Sequence, residues 1–138
     1  ALDNTTKNRA VFEINKGSNK FPGIDVNAMI PDEDRRVPFQ NMVYIADGPS
    51  DIPVFSLINR CGGRTFAVYQ PGSKEEFAQA NNLQKQKRVH SFGEANYTEG
   101  SQTSMWIKNA ITEISDQIVK NREKALDDKI GKPPKHLE

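Results

Sequence analysis

Apolar residues along this chain are spaced first as in a helix, then as in a strand, and the two spacings keep alternating. Ala10, Val11 and Ile14 recur at steps of three and four, which predicts a short helix over residues 5–17, capped by a threonine and followed by Gly17. Residues 17–40 show no period and hold Pro22, Pro31 and Pro38, so a long irregular connection is expected, with a short strand around residues 26–30. Met42-Val43-Tyr44-Ile45-Ala46 is continuously apolar, the pattern of a strand buried on both faces in a parallel sheet. The turn Asp47-Gly48-Pro49-Ser50 follows, and then a helix over residues 51–60 with Pro53 in its first turn and Gly62-Gly63 beyond its end. Residues 64–70 form a second strand centred on Phe66-Ala67-Val68-Tyr69. Ser73 and Glu76 have capping-box spacing and open a polar helix toward Leu83. Residues 88–92 read as a third strand. From Ser101, Met105, Ile107, Ala110, Ile111, Ile114, Ile118 and Val119 mark the inner face of a long helix.

Alternating helices and strands of this kind predict an α/β layer with a parallel sheet. Three strands make a thin sheet, and a strand apolar on both faces needs a neighbour on each side. The remaining core candidates are Phe12, Phe55 and Phe66, with Trp106 and Met105 packing from the last helix. Residues 1–131 are read as one incomplete domain. Lys132-Pro133-Pro134 cannot continue a helix, so residues 132–138 are expected to be an extended tail, and its Leu137-Glu138 end is the kind a cloning site leaves.

Composition narrows the function classes. The 138 residues suffice for one domain. Nineteen basic against eighteen acidic residues argue against a polycation steered onto nucleic acid, so no nucleic-acid partner is expected. Lys85, Lys87 and Arg88 read as a solvated helix end. No apolar run is long enough to span a bilayer, so no membrane partner is expected either. The single cysteine, Cys61, excludes an intramolecular disulfide and a cysteine-rich zinc site. It reads as a small, buried or half-buried thiol. One lone thiol suits a reducing, cytoplasmic setting.

The most informative stretch is Tyr44-Ile45-Ala46-Asp47-Gly48-Pro49-Ser50-Asp51. In open α/β sheets, ligands sit beyond the carboxyl ends of the strands. Asp47 falls there, and Asp51 lies four residues on, where the next helix begins. Two carboxylates in one turn suit a hard cation such as Mg²⁺, which takes oxygen ligands and keeps several waters. The same residues are also ordinary turn chemistry, and Asp before a helix is an ordinary cap.

The segment Asp47-Gly48-Pro49-Ser50-Asp51 after a Tyr-Ile-Ala strand, continued by Ile52-Pro53-Val54-Phe55, resembles the fourth motif of the haloacid dehalogenase (HAD) superfamily. Arg35-Arg36-Val37-Pro38-Phe39-Gln40-Asn41-Met42, Ala67-Val68-Tyr69-Gln70-Pro71 and Asn96-Tyr97-Thr98-Glu99-Gly100-Ser101 extend the resemblance over most of the chain. It implies a three-layer Rossmann-like sheet flanked by helices, incomplete here. It also implies phosphate-monoester hydrolysis with Asp47 and Asp51 serving Mg²⁺. Ala46 departs from the family, which usually has glycine before the first aspartate. The family's third motif is a basic residue near a helix start upstream of this strand. Lys7 fits it and would neutralise phosphate; Lys16, at the helix end, complements the dipole instead.

The family attacks phosphate with an aspartate in an Asp-x-Asp motif at the end of an apolar strand, and that motif should precede Lys7. The one such triplet here, Asp32-Glu33-Asp34, comes after Lys7, follows Pro31 and runs into Arg35-Arg36, so it reads as a charged surface turn. The chain therefore reads as the C-terminal part of a HAD-type phosphohydrolase, inactive by itself for want of the nucleophile. Its substrate would be a phosphorylated small molecule met by the intact protein, and self-association along an exposed strand edge is expected. The rival reading is a non-catalytic α/β binding or interaction domain.

Overall fold

The computed structural model describes residues 37–130. The expected helix over residues 5–17 with Lys7, Phe12 and Lys16, the strand around residues 26–30, the Asp32-Glu33-Asp34 triplet and the tail from Lys132 lie outside the described residues.

Three parallel strands form one sheet in the order β1-β2-β3. They are β1 (Val43–Ala46), β2 (Arg64–Tyr69) and β3 (Ser91–Glu94). Helix α1 (Ile52–Arg60) connects β1 to β2, α2 (Lys74–Lys85) connects β2 to β3, and α3 (Gln102–Ile130) follows β3. Short 3₁₀ turns at Phe39–Asn41 and Pro49–Asp51 lead into β1 and α1. The α/β class and the parallel sheet flanked by helices agree with the sequence. No helix among the described residues is long and apolar enough to cross a membrane.

Strand alternation divides the core between the two faces of the sheet. Tyr44, Ala46, Ala67, Tyr69 and Phe92 share one face and pack with Phe55 of α1 and Ala80 and Leu83 of α2. Phe66 looks the other way and meets Trp106 of α3 with ring centroids 4.8 Å apart. Phe55 and Phe66 are fully buried, and Cys61 is half-buried, as expected. Two glycines permit close approach. A Cβ on Gly63 would stand 2.5 Å from Ile58 Cγ2 and 2.7 Å from the Phe39 carbonyl oxygen. One on Gly93 would stand 2.8 Å from Thr103 Oγ1, so α3 can lie directly on β3. The Ser73 cap forms as its spacing predicts, with Ser73 Oγ accepting from the Glu76 amide.

Three expectations need correction. Strand β1 is not buried on both faces: all four of its residues are half-buried. It lies at the sheet edge and pairs only with β2 among the described residues. The third strand runs over Ser91–Glu94 rather than residues 88–92. Lys87 turns the chain with φ 59°, and the His90 side chain occupies the Thr65 amide, which delays the ladder. Finally, the apolar face of α3 is buried only near its start. Ala110 and Ile114 are buried, whereas Met105, Ile111, Ile118 and Val119 are exposed. A helix of 29 residues is about 43 Å long, and it overruns strands of four to six residues.

Candidate functional site

The carboxyl ends of the strands carry the acidic turn. Strand β1 ends at Ala46, Asp47 follows exposed, and the chain turns through Gly48 into the 3₁₀ turn that ends at Asp51. Asp51 is 2% exposed, although it stands at the head of α1, where an aspartate would ordinarily serve as a cap. Its side chain makes no capping hydrogen bond. Instead, the Tyr44 hydroxyl donates to Asp51 Oδ1 at 3.0 Å. A buried carboxylate is costly unless it is hydrogen-bonded, and here a bond reaches it from the strand. Of the two local readings of Asp51, the capping one does not hold.

Tyr44 itself is held by packing. Its ring meets Phe55 edge-on, with centroids 5.6 Å apart and planes at 78°. Burial, the hydrogen bond to Asp51 and the charges of Asp51 and Asp47 all push its pKa far above the ordinary phenol value. The hydroxyl therefore remains a donor, and both carboxylates bear on it.

Asp47 and Asp51 stand at the two ends of the turn, one exposed and one buried, and the charges of both act on Tyr44. Both side chains offer hard oxygen atoms of the kind a divalent cation takes. No group of three or more histidine, cysteine or acidic side chains gathers around a point among the described residues. Mg²⁺ is commonly bound by one or two carboxylates, with water and substrate completing its shell, so a third acid is not required. Lys7 lies outside the described residues.

A cleft of about 350 Å³ opens on the same edge, between the ends of β2 and β3 and the start of α3. Tyr69, Glu94, Asn96, Ser101, Gln102 and Thr103 line it. Much of its polar lining is already engaged. Thr103 Oγ1 donates to the Glu94 carbonyl at 2.6 Å, and Ser101 Oγ donates to the Asn96 carbonyl at 2.7 Å. Asn96 Oδ1 accepts from both the amide and the hydroxyl of Thr98. Residues 96–101 thereby form an ordered connection ending in the Ser101 cap of α3, whose Oγ accepts from the Ser104 amide.

The opposite, amino edge holds a polar network that the sequence did not reveal. Thr65 is fully buried. Its hydroxyl donates to Asn59 Oδ1 at 2.7 Å, and Asn59 Nδ2 donates to the Arg88 carbonyl at 2.7 Å. The Thr65 amide donates to His90 Nδ1 at 3.0 Å, and the His90 amide donates to the Thr65 carbonyl at 3.1 Å. Nδ1 is therefore an acceptor, which fixes the neutral tautomer with its proton on Nε2. Burial, and secondarily the charge of Arg64, lower the His90 pKa from its ordinary value.

Tyr44 is the site residue that sequence reasoning missed. Its signal was present: a tyrosine in an otherwise aliphatic strand needs a partner for its hydroxyl.

A curated protein of Borreliella burgdorferi (strain ATCC 35210 / DSM 4680 / CIP 102532 / B31), described as an uncharacterized protein, is 40% identical to this chain over 114 residues. The match covers 80% of the chain and 37% of that relative, so the chain spans little more than a third of the relative's length. No family model matches the chain, and no solved structure matches it.

Proposed function

We propose that this chain is the C-terminal part of the core domain of a Mg²⁺-dependent phosphohydrolase of the HAD type. In the longer protein it acts on a phosphorylated small molecule. The observation that carries the reading is Asp51, a buried carboxylate that stands at a helix start without capping it, in one turn with Asp47 beyond a parallel strand. Its place beyond the carboxyl end of a parallel strand is where open α/β sheets present their ligand sites.

The donor set suits the ion. Asp47 and Asp51 offer hard oxygens, and the exposed Asp47 leaves room for water and a phosphate oxygen. Mg²⁺ bound there would supply charge neutralisation to a phosphoryl group, the dominant need in phosphoryl transfer. The chain's own residues do the holding: Asp51 accepts from the Tyr44 hydroxyl of the strand, and that hydroxyl remains protonated under the charge of both acids. Lys7 is proposed to neutralise phosphate. The nucleophilic aspartate and its strand are assigned to the rest of the longer protein.

Strand β1 supports a larger sheet. It is apolar yet half-buried, and its outer edge is unpaired among the described residues. That is the condition of a strand with a further neighbour outside the described residues. Without that neighbour, the open edge favours self-association of the isolated chain.

The test is a phosphatase assay on the longer protein with Mg²⁺ and a phosphate monoester such as p-nitrophenyl phosphate. The proposal expects turnover that chelation removes and that Asp47→Asn lowers at least a hundredfold. A longer protein that folds, and shows no turnover with any phosphate monoester tried, sinks the catalytic reading in favour of a binding domain.

A further inference from the structure

Thr65 is fully buried, and its amide donates to a side chain: the acceptor is His90 Nδ1 at 3.0 Å. The return bond runs from the His90 amide to the Thr65 carbonyl at 3.1 Å. Thr65 Oγ1 lies 3.1 Å from the same ring nitrogen and donates to Asn59 Oδ1, while Asn59 Nδ2 holds the Arg88 carbonyl. The ring thus closes the joint between the end of α1, the start of β2 and the turn that leads into β3. It also lines a cleft of about 350 Å³, together with Arg64 of β2 and Trp106, Asn109 and Glu113 of α3.

A neutral imidazole accepts at one nitrogen, whereas an imidazolium is a donor at both. Thr65 Oγ1 can take the new Nδ1 proton, but the Thr65 amide cannot remain. Its N–H points at the same nitrogen, and a buried amide left without an acceptor is destabilising. The charges around the ring do not offset that loss. Arg64 on β2 opposes the imidazolium, and Lys87 and Arg88 add positive charge in the ring's own turn. Helix α1 brings neutral Asn59 to the joint and carries Arg60 in its last turn. Glu113 on α3 is the acid that lines the cleft, and it is engaged by Arg64 at 3.2 Å and by Asn109 at 2.9 Å. We propose that His90 is a proton-sensitive latch: its neutral ring holds the turn before β3 against α1 and β2, and its protonated ring releases the Thr65 amide and opens the cleft beside Trp106. The inference is independent of the metal reading of the carboxyl edge.

The experiment follows the 138-residue chain from pH 8 to pH 5 by NMR of the ring nitrogens and backbone amides, with Trp106, the chain's single tryptophan, as a fluorescent reporter. A His136→Gln background leaves one histidine to observe. The expected result is an unprotonated Nδ1 at pH 8 and protonation of the ring with a midpoint below the ordinary 6.5. At the same midpoint, exchange protection of the Thr65 amide should fall at least tenfold more than that of Val68, further along β2, and Trp106 emission should change. In His90→Asn a carbonyl oxygen that does not titrate replaces Nδ1, so neither signal should follow pH over this range. A proton on Nδ1 at pH 8 overturns the latch, and so does a ring still neutral at pH 5. Protonation that leaves Thr65 as protected as Val68 overturns it too, as does the same pH response in His90→Asn. Equal loss of protection at both amides would be global unfolding and equally overturns it. An unmoved Trp106 emission overturns the opening of the cleft. Should His90→Asn fail to fold, the comparison of Thr65 with Val68 in the chain with His90 decides.

Discussion

The two edges of the sheet use polar groups in opposite ways. At the amino edge, Thr65, Asn59, His90 and the Arg88 carbonyl satisfy one another, and the network ties the end of α1 to the starts of β2 and β3. At the carboxyl edge, two acids share one turn, and the buried one makes no capping bond with the helix it precedes. The first pattern is what a fold does to secure a loop. The second leaves negative charge concentrated where parallel sheets present their ligand sites. The amino-edge cluster closes on itself, whereas at the carboxyl edge Asp47 stands exposed beyond the strand while Asp51 is buried.

Substitutions should therefore separate the edges. The largest expected effect is on metal binding. Asp47→Asn and Asp51→Asn should each weaken Mg²⁺ binding by about a hundredfold or more, which is about 2.7 kcal/mol. Their melting temperatures in EDTA should stay within a few degrees of wild type, because asparagine can still accept from Tyr44 at position 51. Thr65→Val should do the reverse. It leaves Asn59 Oδ1 without the hydroxyl that donates to it, at a cost of about 1–3 kcal/mol in denaturant unfolding, with Mg²⁺ affinity unchanged.

Acid should act through the amino edge next. The His90 pKa is lowered in the fold, so the unfolded chain binds the proton more readily. The stability His90 contributes is complete above pH 6.5, its ordinary value, and is lost as pH falls below it toward the folded value. Urea midpoints measured from pH 8 down to pH 5 should decline for wild type and decline less for His90→Gln. Equal slopes would remove His90 from the network. The smallest effect belongs to the Arg64–Glu113 ion pair, 3.2 Å long, whose Glu113 side chain is 55% exposed. Glu113→Gln should change stability by less than about 1 kcal/mol.

The two edges were also unequally legible in the sequence. Asp47 and Asp51 could be read because an apolar strand followed by Asp-Gly-Pro-Ser-Asp places both in one turn whatever surrounds them. That Asp51 would not cap α1 could not be read, since the same residue at the same position fits a cap. The Tyr44 contact depends on how the turn folds back over the strand end, which local spacing does not determine. The amino-edge network joins residues 59, 65, 88 and 90, which meet only once the parallel register is set. Periodicity marked the long helix correctly but not its exposed half. Ile118, Val119 and Leu126 follow helical spacing while lying past the end of the sheet. The α/β order was legible because each strand and helix carries its own period. The half-buried state of β1 was not, because burial depends on neighbours.

The most direct measurement is an amide chemical-shift titration of the ¹⁵N-labelled chain with MgCl₂. The account predicts saturable shifts confined to residues 46–52 and Tyr44, with Asn59, Thr65 and His90 unmoved. Shifts spread evenly over the acidic surface, or none in residues 46–52 at millimolar Mg²⁺, would contradict a metal site at the carboxyl edge.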